Sequence, residues 1–209
     1  MARGKFLSVE GGEGAGKSTQ VRRLAETLRA RGLEVIVTRE PGGSEGAEAI
    51  RDLLMQGDVQ RWSAHTEALL FAAARADHVE KVIQPAIGVG TWVISDRFVD
   101  SSRAYQGVAG GIDDAAVLAL HGFGSRGLLP DRTLVLEVPP EIGADRAAAR
   151  DGAAADRFAA RGRAFHDDVA AAFRRFAAAE PDRIRLIDAS GNLDSVAAKM
   201  LDAIADLLP

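Results

Sequence analysis

Residues 11–18 read Gly-Gly-Glu-Gly-Ala-Gly-Lys-Ser and fit the pattern G-x-x-x-x-G-K-[ST]. These residue types are suited to holding phosphate. Glycine lets a loop curl until its N–H groups converge on an anion. A helix that begins there adds a partial positive charge. Lys17 would reach the β- and γ-phosphates of a nucleoside triphosphate. The Ser18 hydroxyl would take a place on Mg²⁺. The context is the required one, with an expected strand Phe6–Glu10 before the loop and an amphipathic helix after it. The pattern predicts a nucleoside triphosphate site built from Gly11, Gly12, Glu13, Gly14, Ala15, Gly16, Lys17, Ser18 and Thr19. It does not say what receives the phosphate.

Three further groups could share that site. Ser95-Asp96-Arg97 closes an apolar run. Parallel strands bring their C-terminal ends to one edge, so Asp96 is expected near Lys17 and Ser18, where it can hold Mg²⁺ or its waters. Arg97 can bridge phosphoryl oxygens. The plainer alternative for this pair is a helix cap and a surface charge. Thr38-Arg39-Glu40-Pro41-Gly42-Gly43 follows another run and aims Arg39 at the same edge. Its plainer alternative is a strand–helix loop in which Ser44 caps the next helix. Phe71 and Arg75 lie four apart on a predicted helix and share a face. A flat ring with donors at its rim suits a nucleobase, although a phenylalanine at helical spacing is more often core.

The elements that must position these groups are legible as alternating periods. Short β-branched runs at Phe6–Val9, Val35–Thr38, Trp92–Ser95 and Leu134–Val138, with a weaker one at Ile184–Ile187, suit strands buried on both faces of a parallel sheet. Between them Val21, Leu24, Ala25 and Leu28 form a helical stripe ended by Gly32. Further helices are expected over about Thr66–Ile87, Ala115–Phe123 and Val196–Leu208. Strand–helix alternation predicts an α/β fold with right-handed crossovers. Residues 139–181 differ, being rich in Ala, Arg and Asp, and read as helix interrupted near Gly152 and Gly162. Such a segment is either a mobile lid or an exposed helical hairpin.

Composition narrows the class. The 209 residues carry 26 Lys+Arg and 30 Asp+Glu, a net charge of −4, and no Cys. Disulfides and thiolate zinc sites are excluded. The mild acidity argues against a dedicated nucleic-acid binder, and no apolar run is long enough to span a membrane. The N-terminal apolar run is too short for a signal peptide, so a cytoplasmic protein is expected. Of the basic residues, 22 are Arg and four are Lys, and one of those four occupies the single position where the phosphate loop requires it. His65, His78, His121 and His166 fall in none of these motifs and receive no role.

The order and spacing of the phosphate loop, T-R-E-P-G-G, F-A-A-A-R and D-R-F-V-D-S-S-R-A-Y-Q-G resemble the bacterial thymidylate kinases over nearly the whole chain. The second and fourth motifs are far more specific than the loop. The resemblance implies a single three-layer P-loop kinase domain over residues 1–209, with a five-stranded parallel sheet flanked by helices and a short helical lid near residues 145–165. It implies transfer from ATP to dTMP with Mg²⁺, and a homodimer. It places Lys17, Arg39, Arg97 and Arg150 in catalysis and Ser18 and Asp96 on the metal. Arg39 and Arg97 would hold the dTMP phosphate, and Glu13 would meet the sugar 3′-hydroxyl. Phe71 would stack on thymine, with Arg75 at its O4 edge and Ser102 facing the base. Tyr105 would crowd the 2′ position, with Gln106 beside it. Family members that lack an arginine directly after the acidic loop residue supply one from the lid. Gly14 stands at that position here, and Arg150 aligns best with the lid arginine. Arg146 and Arg157 are its neighbours, Arg146 could instead flank adenine, and Arg161 or Arg163 would serve if the alignment slips. The family's acidic residues after Asp156-Arg157 are missing, since Phe158-Ala159-Ala160 follows. The competing readings are a kinase for another monophosphate and a nucleotide-dependent switch. A guanine-type switch would need an N-K-x-D element, and the chain has none.

Overall fold

A computed structural model describes residues 3–151, 158 and 161–209, with side chains throughout except at 144 and 147–151. Strand β1 (Phe6–Gly11) leads through the glycine loop into helix α1 (Lys17–Ala30), followed by β2 (Val35–Arg39), α2 (Glu45–Met55) and α3 (Ala64–His78). Then come α4 (Gln84–Gly88), β3 (Trp92–Asp96), α5 (Val99–Ser102), α6 (Asp114–Ser125), β4 (Arg132–Glu137), α7 (Pro140–Asp151), α8 (Arg163–Ala179), β5 (Ile184–Asp188) and α9 (Leu193–Asp202).

The five strands form one all-parallel sheet in the order β2-β3-β1-β4-β5. Position in that order explains the strand sequences. Central β1 is buried at every residue, and β3 and β4 nearly so, hence their continuous apolar runs. Edge strands β2 and β5 are covered less completely, and the latter gives the weakest signal in the sequence. Successive β1 residues face opposite layers. Leu7 and Val9 pack with Leu24 and Leu28 of α1 and Met200 of α9. Phe6 packs on the other face with Ile83, Val93 and Phe98. Truncating a fully buried leucine such as Leu28 would cost about 2–5 kcal/mol.

Helix ends follow local chemistry. The α1 stripe stops where Gly32 adopts a φ of 84°. There the Gly32 N–H meets the Arg29 carbonyl and the Leu33 N–H meets that of Leu28, a glycine-dependent helix stop. The helix expected over Thr66–Ile87 is instead α3, a widened π-turn at Val79–Ile83, and α4. Pro85 has no N–H and its ring crowds the carbonyl four residues back, so the helix widens just before it. A second π-turn, Arg103–Val108, continues α5. Ser44 stands at the start of α2, but its hydroxyl donates to Asp77 Oδ2 at 2.6 Å and does not cap the helix. At the C-terminus α9 ends at Asp202 and a short 3₁₀ turn follows, so the helix is shorter than expected. Among the described residues of 139–181 are helices α7 and α8, with Gly162 just before α8; the interruption expected near Gly152 lies outside the described residues.

Candidate active site

Strand register sets the site. Val9 of β1 and Arg39 of β2 both lie opposite Asp96 of β3, so three strand ends deliver their following residues to one edge. The loop after β1 has two glycines that geometry requires. A Cβ on Gly11 (φ 137°) would lie 2.4 Å from the Leu136 carbonyl oxygen. One on Gly14 (φ 65°) would lie 1.9 Å from the carbonyl oxygen of Gly143 in α7. The loop is therefore wedged between β4 and α7, and both positions also need a left-handed or near-mirror backbone. Lys17 opens α1 and folds back, donating from Nζ to the Gly11 and Gly12 carbonyls at 3.1 and 2.8 Å. Burial, with help from Arg97, pushes its amine down to about 7. Ser18 Oγ donates to Asp96 Oδ2 at 2.7 Å, so the expected meeting of these two residues occurs. Thr19 lies in the first turn of α1. Gly12 and Glu13 border a cavity of about 590 Å³ whose other walls are β4, α7 and α8.

Arg97 adopts a φ of 73°, which is uncommon for a side-chain-bearing residue. Its N–H bonds the Val9 carbonyl at 3.0 Å and Nη1 donates to Ser101 Oγ at 3.1 Å. The guanidinium carbon lies 5.0 Å from the centre of the Tyr105 ring. Burial opposes its charge, but Tyr105, Glu10 and Asp96 more than offset this and keep the guanidinium firmly charged. Glu10 lies beneath it, accepting from Ser8 Oγ, the Phe98 N–H and Ser101 Oγ at 2.8, 2.7 and 2.5 Å. Burial, reinforced by Asp100, raises the Glu10 carboxyl to about 7.

The wall opposite the loop comes from α3, α5 and the π-turn after it. Arg75 is 3% exposed and donates from Nη2 to Ser102 Oγ at 2.8 Å and from Nε to Glu40 Oε2 at 2.7 Å. Glu40 in turn meets His78. Tyr105 and Gln106 are buried. Gln106 donates weakly to Glu67 at 3.4 Å, and Tyr105 Oη has no hydrogen-bond partner among the described residues. Phe71 is half-buried and meets the ring of Phe158 edge-on at 5.7 Å. Arg161 pairs with buried Glu67 at 2.7 Å and lies over the Phe158 and Phe165 rings. The start of α8 is thus tied to α3. Deeper still, Asp100 is gripped by Arg183, Arg103 and Thr133, which anchors the segment bearing Ser101, Ser102 and Tyr105.

The remaining candidate arginines pair with nearby groups or fall outside the described side chains. Arg39 reaches the edge, but its half-exposed guanidinium turns aside to Glu48 of α2 at 3.1 Å. Arg146 donates to the Ala189 carbonyl just beyond β5 at 3.0 Å. Arg150 lies in α7, though its side chain is outside the described set, and Arg157 is outside the described residues altogether. Arg163 is largely exposed at the start of α8. Glu10, Glu40, Glu67 and His78 escape sequence reasoning. Glu40 stands inside T-R-E-P-G-G, and His78 follows Arg75 by three residues.

A glycine loop of the P-loop pattern after β1, with Arg97 and Arg75 at the same parallel sheet edge, defines a P-loop protein of the α/β class. The thymidylate kinase family model matches residues 9–200. A thymidylate kinase of Rhizorhabdus wittichii is 59% identical over 206 residues, covering 99% of both chains. One of Caulobacter vibrioides is 52% identical over 208 residues, covering all of this chain and 99% of its own. The crystal structure of thymidylate kinase from Ehrlichia chaffeensis superposes with a TM-score of 0.79 at 30% identity, covering 97% of this chain and 99% of that one. The chain belongs to the thymidylate kinase family.

Proposed function

We propose that this protein transfers the γ-phosphoryl group of ATP to dTMP, giving ADP and dTDP. The observation that carries the reading is the single sheet edge at which Lys17 and the Ser18–Asp96 pair face Arg97, Tyr105 and Arg75. A dTMP phosphate oxygen is already ionised, so the reaction needs alignment and charge neutralisation and no strong base. Lys17 would exchange the loop carbonyls for β- and γ-phosphate oxygens, and the loop N–H groups would hold the rest. Arg97, kept charged and braced by Ser101, would hold the dTMP phosphate, with Arg39 released from Glu48 to join it. Tyr105, buried with its ring over the Arg97 guanidinium, would stand beside the sugar. Phe71 and Arg75 would meet the flat face and O4 edge of thymine, with Ser102 and Gln106 beside them and Glu13 near the 3′-hydroxyl.

Mg²⁺, when bound, would neutralise the transferring phosphates. Ser18 and Asp96 fit it, offering one hydroxyl and one carboxylate, the sparse donor set of an ion held mostly by phosphate and water. Residues 1–209 form one kinase domain in this reading, with a lid near residues 145–165 whose Arg150 reaches the transferring group. A cytoplasmic location suits soluble nucleotide substrates, and among the described residues no helix is long and apolar enough to cross a membrane. A homodimer is inferred from α2, α3 and α6, which pack side by side and expose Leu53 (46%), Leu69 (56%) and Phe123 (93%). Phe123→Glu should shift sedimentation to the monomer, and an unchanged dimer would move the interface elsewhere.

The test of function is ADP release from ATP with dTMP, dCMP, UMP and AMP in parallel. A clear preference for dTMP is expected. Preference for another monophosphate would overturn the acceptor, and no turnover with any of them would favour a nucleotide-binding switch.

A further inference from the structure

Phosphoryl transfer does not account for one buried chain of side chains. Arg75 and His78 are three residues apart on α3, so both can face Glu40. Glu40 Oε2 accepts from Arg75 Nε at 2.7 Å, and Oε1 accepts from His78 Nδ1 at 3.0 Å. A carboxylate only accepts, so Nδ1 donates to Glu40, and Nε2 of the ring meets Thr38 Oγ1 at 2.7 Å, as acceptor when the ring is neutral. On its other side Arg75 donates to Ser102 Oγ and, at 3.4 Å, to the Phe98 carbonyl. Its guanidinium lies 5.3 Å from the centre of the Phe98 ring. Thr38, His78, Glu40, Arg75 and Ser102 thus form a continuous line through β2, the turn after it, α3 and α5. His78 is fully buried within it.

We propose that His78 is a positioning residue for acceptor recognition, fixing through Glu40 the angle at which Arg75 faces the base. The proposal rests on the reading above that Arg75 meets the base edge. Neutralising a buried Glu40 needs Arg75 alone, since their charges already cancel. What Arg75 cannot do is hold the carboxyl plane, because the terminal torsion of a glutamate is broad. His78 pins Oε1, Thr38 pins the His78 ring, and the carboxyl plane is set. Nε and Nη2 of Arg75 are then engaged, and among the described residues Nη1 makes no hydrogen bond. Thr38 is also the direct neighbour of Arg39. One strand end therefore orients the base reader and carries an arginine assigned to the acceptor phosphate, so the two halves of one small molecule are gauged from a common reference.

Three variants separate the links. His78→Asn places an amide nitrogen where Nδ1 stands and keeps the Glu40 bond. His78→Leu removes both bonds, and Thr38→Val removes the outer one. With ATP saturating, His78→Leu should raise the dTMP KM about tenfold, the loss of one hydrogen bond to a charged group. Its kcat and its ATP KM should stay within about twofold of the parent. His78→Asn should recover most of the dTMP KM, and Thr38→Val should fall between. The kcat/KM ratio of dTMP over dCMP should drop in His78→Leu, which a mere loss of folded protein would not cause. A folded His78→Leu and Thr38→Val with parental dTMP KM and ratio would overturn the proposal. So would a His78→Asn protein as impaired as His78→Leu. If His78→Leu does not fold, the two milder variants decide. Arg75→Ala isolates the underlying reading. An unchanged dTMP KM there would remove Arg75 from the base, whereas a raised one beside unaffected His78 variants would sink the positioning role alone.

Discussion

The phosphate loop and the proposed acceptor wall face each other across one sheet edge and are built by opposite means. The loop works with backbone. Its glycines are fixed by close approach to Leu136 and Gly143, and its amine rests on its own carbonyls. The wall works with side chains. Ser102, Arg75, Glu40 and His78 are buried, come from three segments far apart in sequence, and are bonded each to the next. Phosphate looks the same on every nucleotide, so a local backbone shape suffices for it. A base must be told from other bases, and that needs donors at set angles, hence tertiary bracing.

That contrast can be broken in order of expected effect. Arg150→Ala tests whether a third wall, the lid, supplies charge that neither of the other two provides. Its kcat should fall about 10³-fold with a much smaller change in dTMP KM, and near-parental turnover in rapid-quench assays would move the role to another arginine. Gly14→Ala attacks the backbone side. Overpacking against Gly143 and a left-handed φ should together cost about 1–3 kcal/mol, read as a lower thermal midpoint with a raised ATP KM and an unchanged dTMP KM. Ser102→Ala attacks the side-chain side, leaving Arg75 Nη2 without its best acceptor. The dTMP KM should rise roughly three- to tenfold while ATP binding by titration calorimetry stays as it was.

The last effect is electrostatic and lies between the two walls. Glu10 is raised to about 7 in the fold, so the native state holds its proton longer than the unfolded chain and stability falls from about pH 4.5 to 7. Lys17 is lowered to about 7, so the unfolded chain binds more protons and stability rises from about pH 7 to 10.5. In thermal melts of the ligand-free protein, Glu10→Gln should flatten the acidic limb and Lys17→Met the alkaline one. Parallel profiles for parent and variants would show that neither group titrates differently on folding.

These differences also decide what is readable without a structure. The loop is contiguous, so residues 11–18 disclose it completely. The meeting of Ser18 and Asp96 follows from sheet logic, because parallel strands end together. The edge strand β5 is faint because incomplete cover asks for fewer apolar residues. His78 is silent in the sequence because its partners lie 38 and 40 positions away, and a histidine on a helix looks the same whether it braces an arginine or fills space. Arg39 shows the limit from the other side. Its place at the edge follows from the strand, but its turn toward Glu48 depends on a helix packing that no local pattern encodes. The π-turn before α4 does leave a trace in Pro85, which marks a disturbance without specifying its form.

The contact between Gly14 and Gly143 sets a clearance. The backbone of α7 occupies the space that a side chain at position 14 would need. A residue larger than glycine would have to lever α7 off the loop, and with it the wall that α7 lends to the neighbouring cavity. How closely loop and helix meet is therefore decided by a single missing carbon.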